Sequence, residues 1–123
     1  MISFADLNIT DGSPIYLQII MYVKSGVASG SIANGDELPS RRVLSTLLGV
    51  NPNTVQKAYK LLEDEGIILS HPGAGSVVSV TESRRSDIRA ELVKAEIQKS
   101  VEALKHLGLA KDAALELIDR NWE

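Results

Sequence analysis

Cysteine is absent from the 123 residues. That excludes a disulfide scaffold and a thiolate zinc site, and it fits a reducing cytoplasm. Aromatic side chains make up only 4 % of the chain, so a core has to be aliphatic. No apolar run approaches the ~18 residues of a membrane span. The opening MISFADLNIT has neither the basic nor the apolar region of a signal peptide. Histidine occurs twice, at His71 and His106, and no phosphate-loop, dinucleotide or metalloprotease motif accompanies it. The acids Glu63, Asp64 and Glu65 are adjacent, so on a helix they point in different directions and form a solvated terminus rather than a metal cage. Neither catalysis nor a metal or other cofactor is expected, and the localisation expected is cytoplasmic.

A surplus of positive charge is also missing, since the net charge is −3. Phosphate contacts supply most non-specific affinity for nucleic acid, so a nucleoid-type binder is disfavoured. The distribution is more informative than the sum. Residues 1–40 carry Lys24 against Asp6, Asp11, Asp36 and Glu37, whereas residues 41–60 carry Arg41, Arg42, Lys57 and Lys60 and no acid.

The chain has room for one ordinary domain and a small appendage. Residues 1–13 read as a polar lead-in. Ser13-Pro14 reads as a helix start, with serine as cap and proline in the first turn. Ile15, Ile19, Tyr22, Val23 and Val27 recur at helical spacing up to Gly30 or Asn34-Gly35. Ser40 is a good cap for a helix to about Leu48, with Val43, Leu44, Leu47 and Leu48 inward and Gly49 closing it. Asn51-Pro52 makes a turn. Asn53 or Thr54 opens another helix, with Val55, Ala58, Tyr59, Leu61 and Leu62 toward the core, and Gly66 stops it. Two short strands, 67–70 and 76–80, flank a tip at His71-Pro72-Gly73-Ala74-Gly75. Two helices, a tight turn and a glycine-punctuated hairpin predict a winged helix-turn-helix over residues 1–80.

Residues 81–123 read as a helical tail. Ile88, Leu92, Val93, Ile97, Val101, Leu104 and Leu107 form one apolar stripe, which Gly108 breaks. Ala110, Ala113, Ala114, Leu117 and Ile118 form a shorter one. Two stripes joined at one glycine cannot wholly cover each other, so a second subunit is the economical partner. The expected dimer interface is Ile88, Leu92, Val93, Ile97, Val101, Leu104, Leu117 and Ile118. A monomeric helical hairpin folded onto the winged helix is the alternative. The fold class expected is mainly α with a small β-hairpin: a winged helix-turn-helix followed by a two-helix dimerisation tail.

A recognition helix needs hydrogen-bonding groups in its first turns and an anchored back. Gln56 can bond adenine bidentately, and Lys57 or Lys60 can reach guanine or a phosphate. Arg41 and Arg42 oppose the dipole of the helix they open, a local cost that a bound phosphate would offset. Alternatively one of them bridges Asp36 or Glu37. Gly73 and Gly75 let the backbone approach a phosphate or the minor groove, although a plain tight turn needs glycine too. His71 can donate to a phosphate when protonated.

PIYLQI at 14–19, SGSIANGDELPSRRVLS at 29–45, GVNPNTVQKAYKLLEDEGII at 49–68 and GAGSVV at 73–78 together resemble the winged-helix domain of the GntR family of bacterial transcription regulators. The tail, with LGL at 107–109, resembles the short YtrA branch, where such helices serve dimerisation. The resemblance implies a homodimer on a palindromic operator, usually a repressor of its own operon and of neighbouring transporter genes. It places DNA contacts on Ser40, Arg42, Asn53, Thr54, Gln56, Gly73 and Gly75. The chain departs from many members in having Gln56 where they have arginine and Ala74 where they have a basic residue. A small-molecule effector stays open. The rival reading is a winged helix used as a protein-interaction module without operator binding.

Overall fold

The computed structural model describes residues 1–73 and 75–123. The first helix, α1, is Ile15–Ser29. The expected cap at Ser13 is not formed: Pro14 holds the N-cap position and offers no side-chain acceptor. Gln18 folds back instead. Its Nε2 donates to the carbonyls of Thr10 and Ser13, each at 2.8 Å, and its Oε1 accepts from the Thr10 N–H at 2.9 Å. Residues 1–13 are also more than a polar lead-in, because Ile2 and Phe4 are buried. The Ile2 N–H donates to the Glu37 carbonyl at 2.7 Å. Phe4 stacks on Tyr22 with ring centroids 5.1 Å apart, and the Tyr22 hydroxyl donates to the Ser3 carbonyl. Ile2 and Phe4 sit among Met1, Ala5, Leu7 and Ile9 in a stretch too short and irregular to set a period, so sequence pattern alone passes over them.

Next come β1 (Glu37–Leu38), α2 (Arg41–Leu48), α3 (Pro52–Asp64), β2 (Ile68–His71) and β3 (Gly75–Val78). The hairpin is part of a three-stranded antiparallel sheet of order β1-β3-β2. Glu37 pairs with Val77 and Leu38 with Ser76, while Ile68 faces Val78 and Ser70 faces Ser76. A two-residue strand carries no alternation of its own, which explains why β1 is invisible to pattern reading.

The core is aliphatic, as the composition required. Ile19, Val23 and Val27 of α1 are fully buried, as are Leu44 of α2 and Val55, Ala58 and Leu62 of α3, with Ile67, Ile68 and Val78 beneath them. Each large aliphatic side chain there stabilises the fold by roughly 1.5–3 kcal/mol through burial. The helix α3 packs on both α1 and α2. In α2 the expected inward set is corrected: Leu44 is buried, but Val43 and Leu47 are 48 % and 67 % exposed. Val43 and Leu47 lie four residues apart on one face, and Leu44 and Leu48 on the next. An eight-residue helix on the edge of the core turns in only the second face.

The tail comprises α4 (Glu82–His106) and α5 (Lys111–Asn121). The chain forms two compact units, Met1–Arg89 and Ala90–Glu123. In the first, Arg85 caps the end of α1: Nε donates to the Val27 carbonyl at 2.9 Å, Nη2 to Ala28 at 3.3 Å, and Nη1 pairs with Glu82 at 2.9 Å. In the second, Gly108 takes the left-handed conformation at φ 77°. Gly108 N–H donates to the Lys105 carbonyl and Leu109 N–H to Leu104, which closes α4. Among the described residues no helix is long and apolar enough to cross a membrane.

Candidate nucleic-acid interface

The two helices that would present the site are fixed at their starts. The Ser40 hydroxyl accepts from the Val43 N–H at 3.1 Å and caps α2, as expected. This leaves its O–H free to donate outward. The helix closes at Gly49, with φ 67°. The third helix opens at Pro52, slightly ahead of the expected Asn53 or Thr54, because Asn51 Oδ1 accepts from the Asn53 N–H at 2.8 Å and proline suits the first helical position. Behind the site the Tyr59 hydroxyl donates to the buried Pro39 carbonyl at 2.7 Å. Burial pushes the Tyr59 pKa well above its ordinary value, so the hydroxyl keeps its proton and the bond.

An open cavity of about 370 Å³ lies where the start of α2, the outer side of α3 and the hairpin converge. Ser40, Arg41, Gln56, Lys60, His71 and Gly75 line it; Arg42, Asn53, Thr54, Lys57 and Gly73 do not. Arg42, Asn53, Gln56, Lys57 and Lys60 are all exposed, and Thr54 is half-buried. Gly73 and Gly75 have φ of 75° and 79°, left-handed values that favour glycine. Ala74 lies outside the described residues, so the wing-tip departure is not placed.

The four cations of this stretch differ in how they are held. Arg41 donates through Nη1 to Gln56 Oε1. Lys57 Nζ sits 3.9 Å from the centre of the Tyr16 ring, a cation–π contact. Lys60 pairs with Asp64 at 2.8 Å, and that hydrogen bond raises its pKa and keeps it charged. Among the described residues, the Arg42 guanidinium has no hydrogen-bond or ion-pair partner. Neither arginine bridges Asp36 or Glu37; Asp36 Oδ2 accepts from the Ala33 N–H at 2.8 Å.

Sequence reading missed the link between hairpin and helix. The Ser70 hydroxyl donates to Glu63 Oε2 at 3.0 Å and lies 3.1 Å from the Ser76 hydroxyl. This ties the wing to α3 and occupies the acid nearest the cavity. A signal was available: Ser70 and Ser76 are equidistant from Gly73, so a symmetric hairpin must pair them.

Of the expected tail interface, Ile88 is buried in the first unit at 2 % exposure, packed by its own chain. Leu92 and Leu104 are half-buried, and Val93, Ile97, Val101, Leu117 and Ile118 are exposed.

Helix, turn, helix and hairpin joined in this way make a winged helix-turn-helix, the architecture of DNA-binding transcription regulators. Residues 15–78 match the model of the gntR family of bacterial regulatory proteins, and the chain belongs to that family. It is 42 % identical over 95 residues to the HTH-type transcriptional repressor YtrA of Bacillus subtilis, a match covering 77 % of this chain and 68 % of the repressor. Its structure is similar to a GntR family transcriptional regulator from Listeria monocytogenes, with a TM-score of 0.80 at 30 % identity over 91 % of this chain and 98 % of that one. It is also similar to the DNA-binding domain of AraR, solved in complex with operator ORE1, with a TM-score of 0.51 at 28 % identity over 55 % of this chain and 82 % of that one. The relatives are transcription regulators rather than enzymes, and the YtrA repressor is among them.

Proposed function

We propose that the chain is a homodimeric repressor that binds a palindromic operator upstream of its own operon and of a neighbouring transporter. Residues 1–80 carry the DNA-binding unit and residues 81–123 the dimerisation tail, and the protein works in the cytoplasm. The observation that carries this reading is the convergence of capped helix start, exposed α3 and glycine-tipped hairpin on one open face, with no acid between residues 41 and 60. Ser40 and Arg42 hold phosphates, Asn53, Thr54 and Gln56 face base edges, and Lys57 and Lys60 supply field and phosphate contacts. Gly73 and Gly75 bring the wing backbone to the duplex. AraR's binding to its operator and the repressor role of Bacillus YtrA support the reading.

The dimer pairs through Leu92, Val93, Ile97, Val101, Leu104, Leu117 and Ile118, which remain exposed or half-buried in one chain. Half-sites then lie roughly one helical turn (~34 Å) or more apart. Footprinting on the DNA upstream of the gene tests this. Two protected, inverted half-sites are expected; uniform or absent protection with a confirmed dimer would refute it. The exposed Val43 and Leu47 favour a second reading, a protein-interaction surface on α2. That reading requires Leu47→Asp to abolish capture of a protein partner while DNA plays no part.

A further inference from the structure

We propose that Arg41 and Gln56 act as one reading unit, and that the pair selects guanine where Gln56 alone would select adenine. The inference rests on the DNA-binding reading above. A free glutamine on a recognition helix reads adenine with both ends of its amide: the oxygen accepts from N6–H, and the nitrogen donates to N7. Here the amide oxygen is already engaged, because Gln56 Oε1 accepts from Arg41 Nη1. A guanidinium can only donate, so the chemistry of the pair fixes the amide's orientation: oxygen toward α2, NH₂ away from it. Both residues are exposed and line the same open cavity. The acid that shares this cavity, Glu63, accepts from Ser70 instead.

What the pair offers outward is therefore a set of donors: the Gln56 NH₂ and the remaining Arg41 N–H groups. Guanine presents two acceptors in the major groove, O6 and N7, and complements such a set. Adenine presents N6–H₂ beside N7. Its amino group would meet the guanidinium hydrogens that flank the amide oxygen, opposing donor to donor and leaving a desolvated polar group unpaired. The link spans two elements, since Arg41 opens α2 and Gln56 starts the second turn of α3. Arg41 thus sets the specificity of a residue 15 positions away.

The test is selection from a library of randomised half-sites by the full-length protein, its Arg41→Ala, Arg41→Lys and Gln56→Ala variants, each checked for an unchanged thermal melt. Gln56→Ala should erase preference at one base position and thereby locate it. The unaltered protein should prefer guanine there by on the order of tenfold. Arg41→Ala should move that one position to adenine and leave the others as they were. Arg41→Lys, which keeps a donor, should retain guanine. The proposal is overturned if the unaltered protein prefers adenine at that position, if Gln56→Ala changes no position, or if Arg41→Ala lowers affinity evenly with the preference intact. Failure of the DNA-binding reading looks different: the unaltered protein then enriches no sequence at all, and both ideas fall together.

Discussion

Arg42 differs from the three other cations of residues 41–60 in having no partner among the described residues, while Arg41, Lys57 and Lys60 are each held by Gln56, Tyr16 and Asp64. A partnerless guanidinium in the first turn of α2 works against the helix dipole and is compensated when a phosphate arrives. Arg42→Ala should therefore weaken binding about equally on all sequences and lower the slope of log affinity against log salt by about 1, read by anisotropy. An unchanged slope would remove Arg42 from the phosphate contacts. Tyr59 belongs to the same scale but acts on stability. Its proton donates to the buried Pro39 carbonyl. Tyr59→Phe should cost about 1–3 kcal/mol in urea melts, because the carbonyl loses its partner. The folded-state pKa lies above the ordinary value of 10.0, so the contribution is complete below that pH and is lost as pH rises beyond it. The phenylalanine variant should accordingly lose less stability than the parent protein under alkaline conditions.

At the scale of elements, what was legible depended on length. The helices α1, α3 and α4 are long enough to show a period, and their extents follow from apolar spacing and glycine stops, apart from the start of α3 at Pro52. The short pieces were less legible. In α2 the faces Val43/Leu47 and Leu44/Leu48 are both apolar, and only packing decides which is buried. In β1 and the Ile2–Phe4 segment, two or three residues find partners far along the chain, at Val77 and Glu37. The same limit applies to the site. Residue type marked out Arg41, Gln56 and Ser40, but the Arg41–Gln56 bond depends on how closely α2 approaches α3. The cap that Arg85 places on α1 was equally hidden, because it joins residues 57 and 58 positions apart. Arg85→Ala uncovers the Val27 and Ala28 carbonyls at the helix end and should cost about 1 kcal/mol in denaturant melts. Stability unchanged by this substitution would mean that water replaces the guanidinium without loss.

At the scale of the molecule, a winged helix-turn-helix is followed by a tail whose apolar residues one chain leaves largely uncovered. Val93, Ile97 and Val101 are 52 %, 58 % and 43 % exposed along α4, more than a lone helix surface would carry without a partner. Ile97→Glu combined with Leu104→Glu should yield monomers in sedimentation, and those monomers should bind operator DNA far more weakly, since each keeps only one half-site. Dimers that persist in the double variant would contradict the interface. The central claim is that this acidic protein, with four cations and no acid in residues 41–60, recognises a particular DNA sequence. The most direct measurement is fluorescence anisotropy with DNA from upstream of the gene and with a scrambled duplex, across a salt series. Tight, salt-steep binding to the upstream duplex and far weaker binding to the scrambled one are expected. Equal affinity for both, or no binding at low salt by a confirmed dimer, would contradict it.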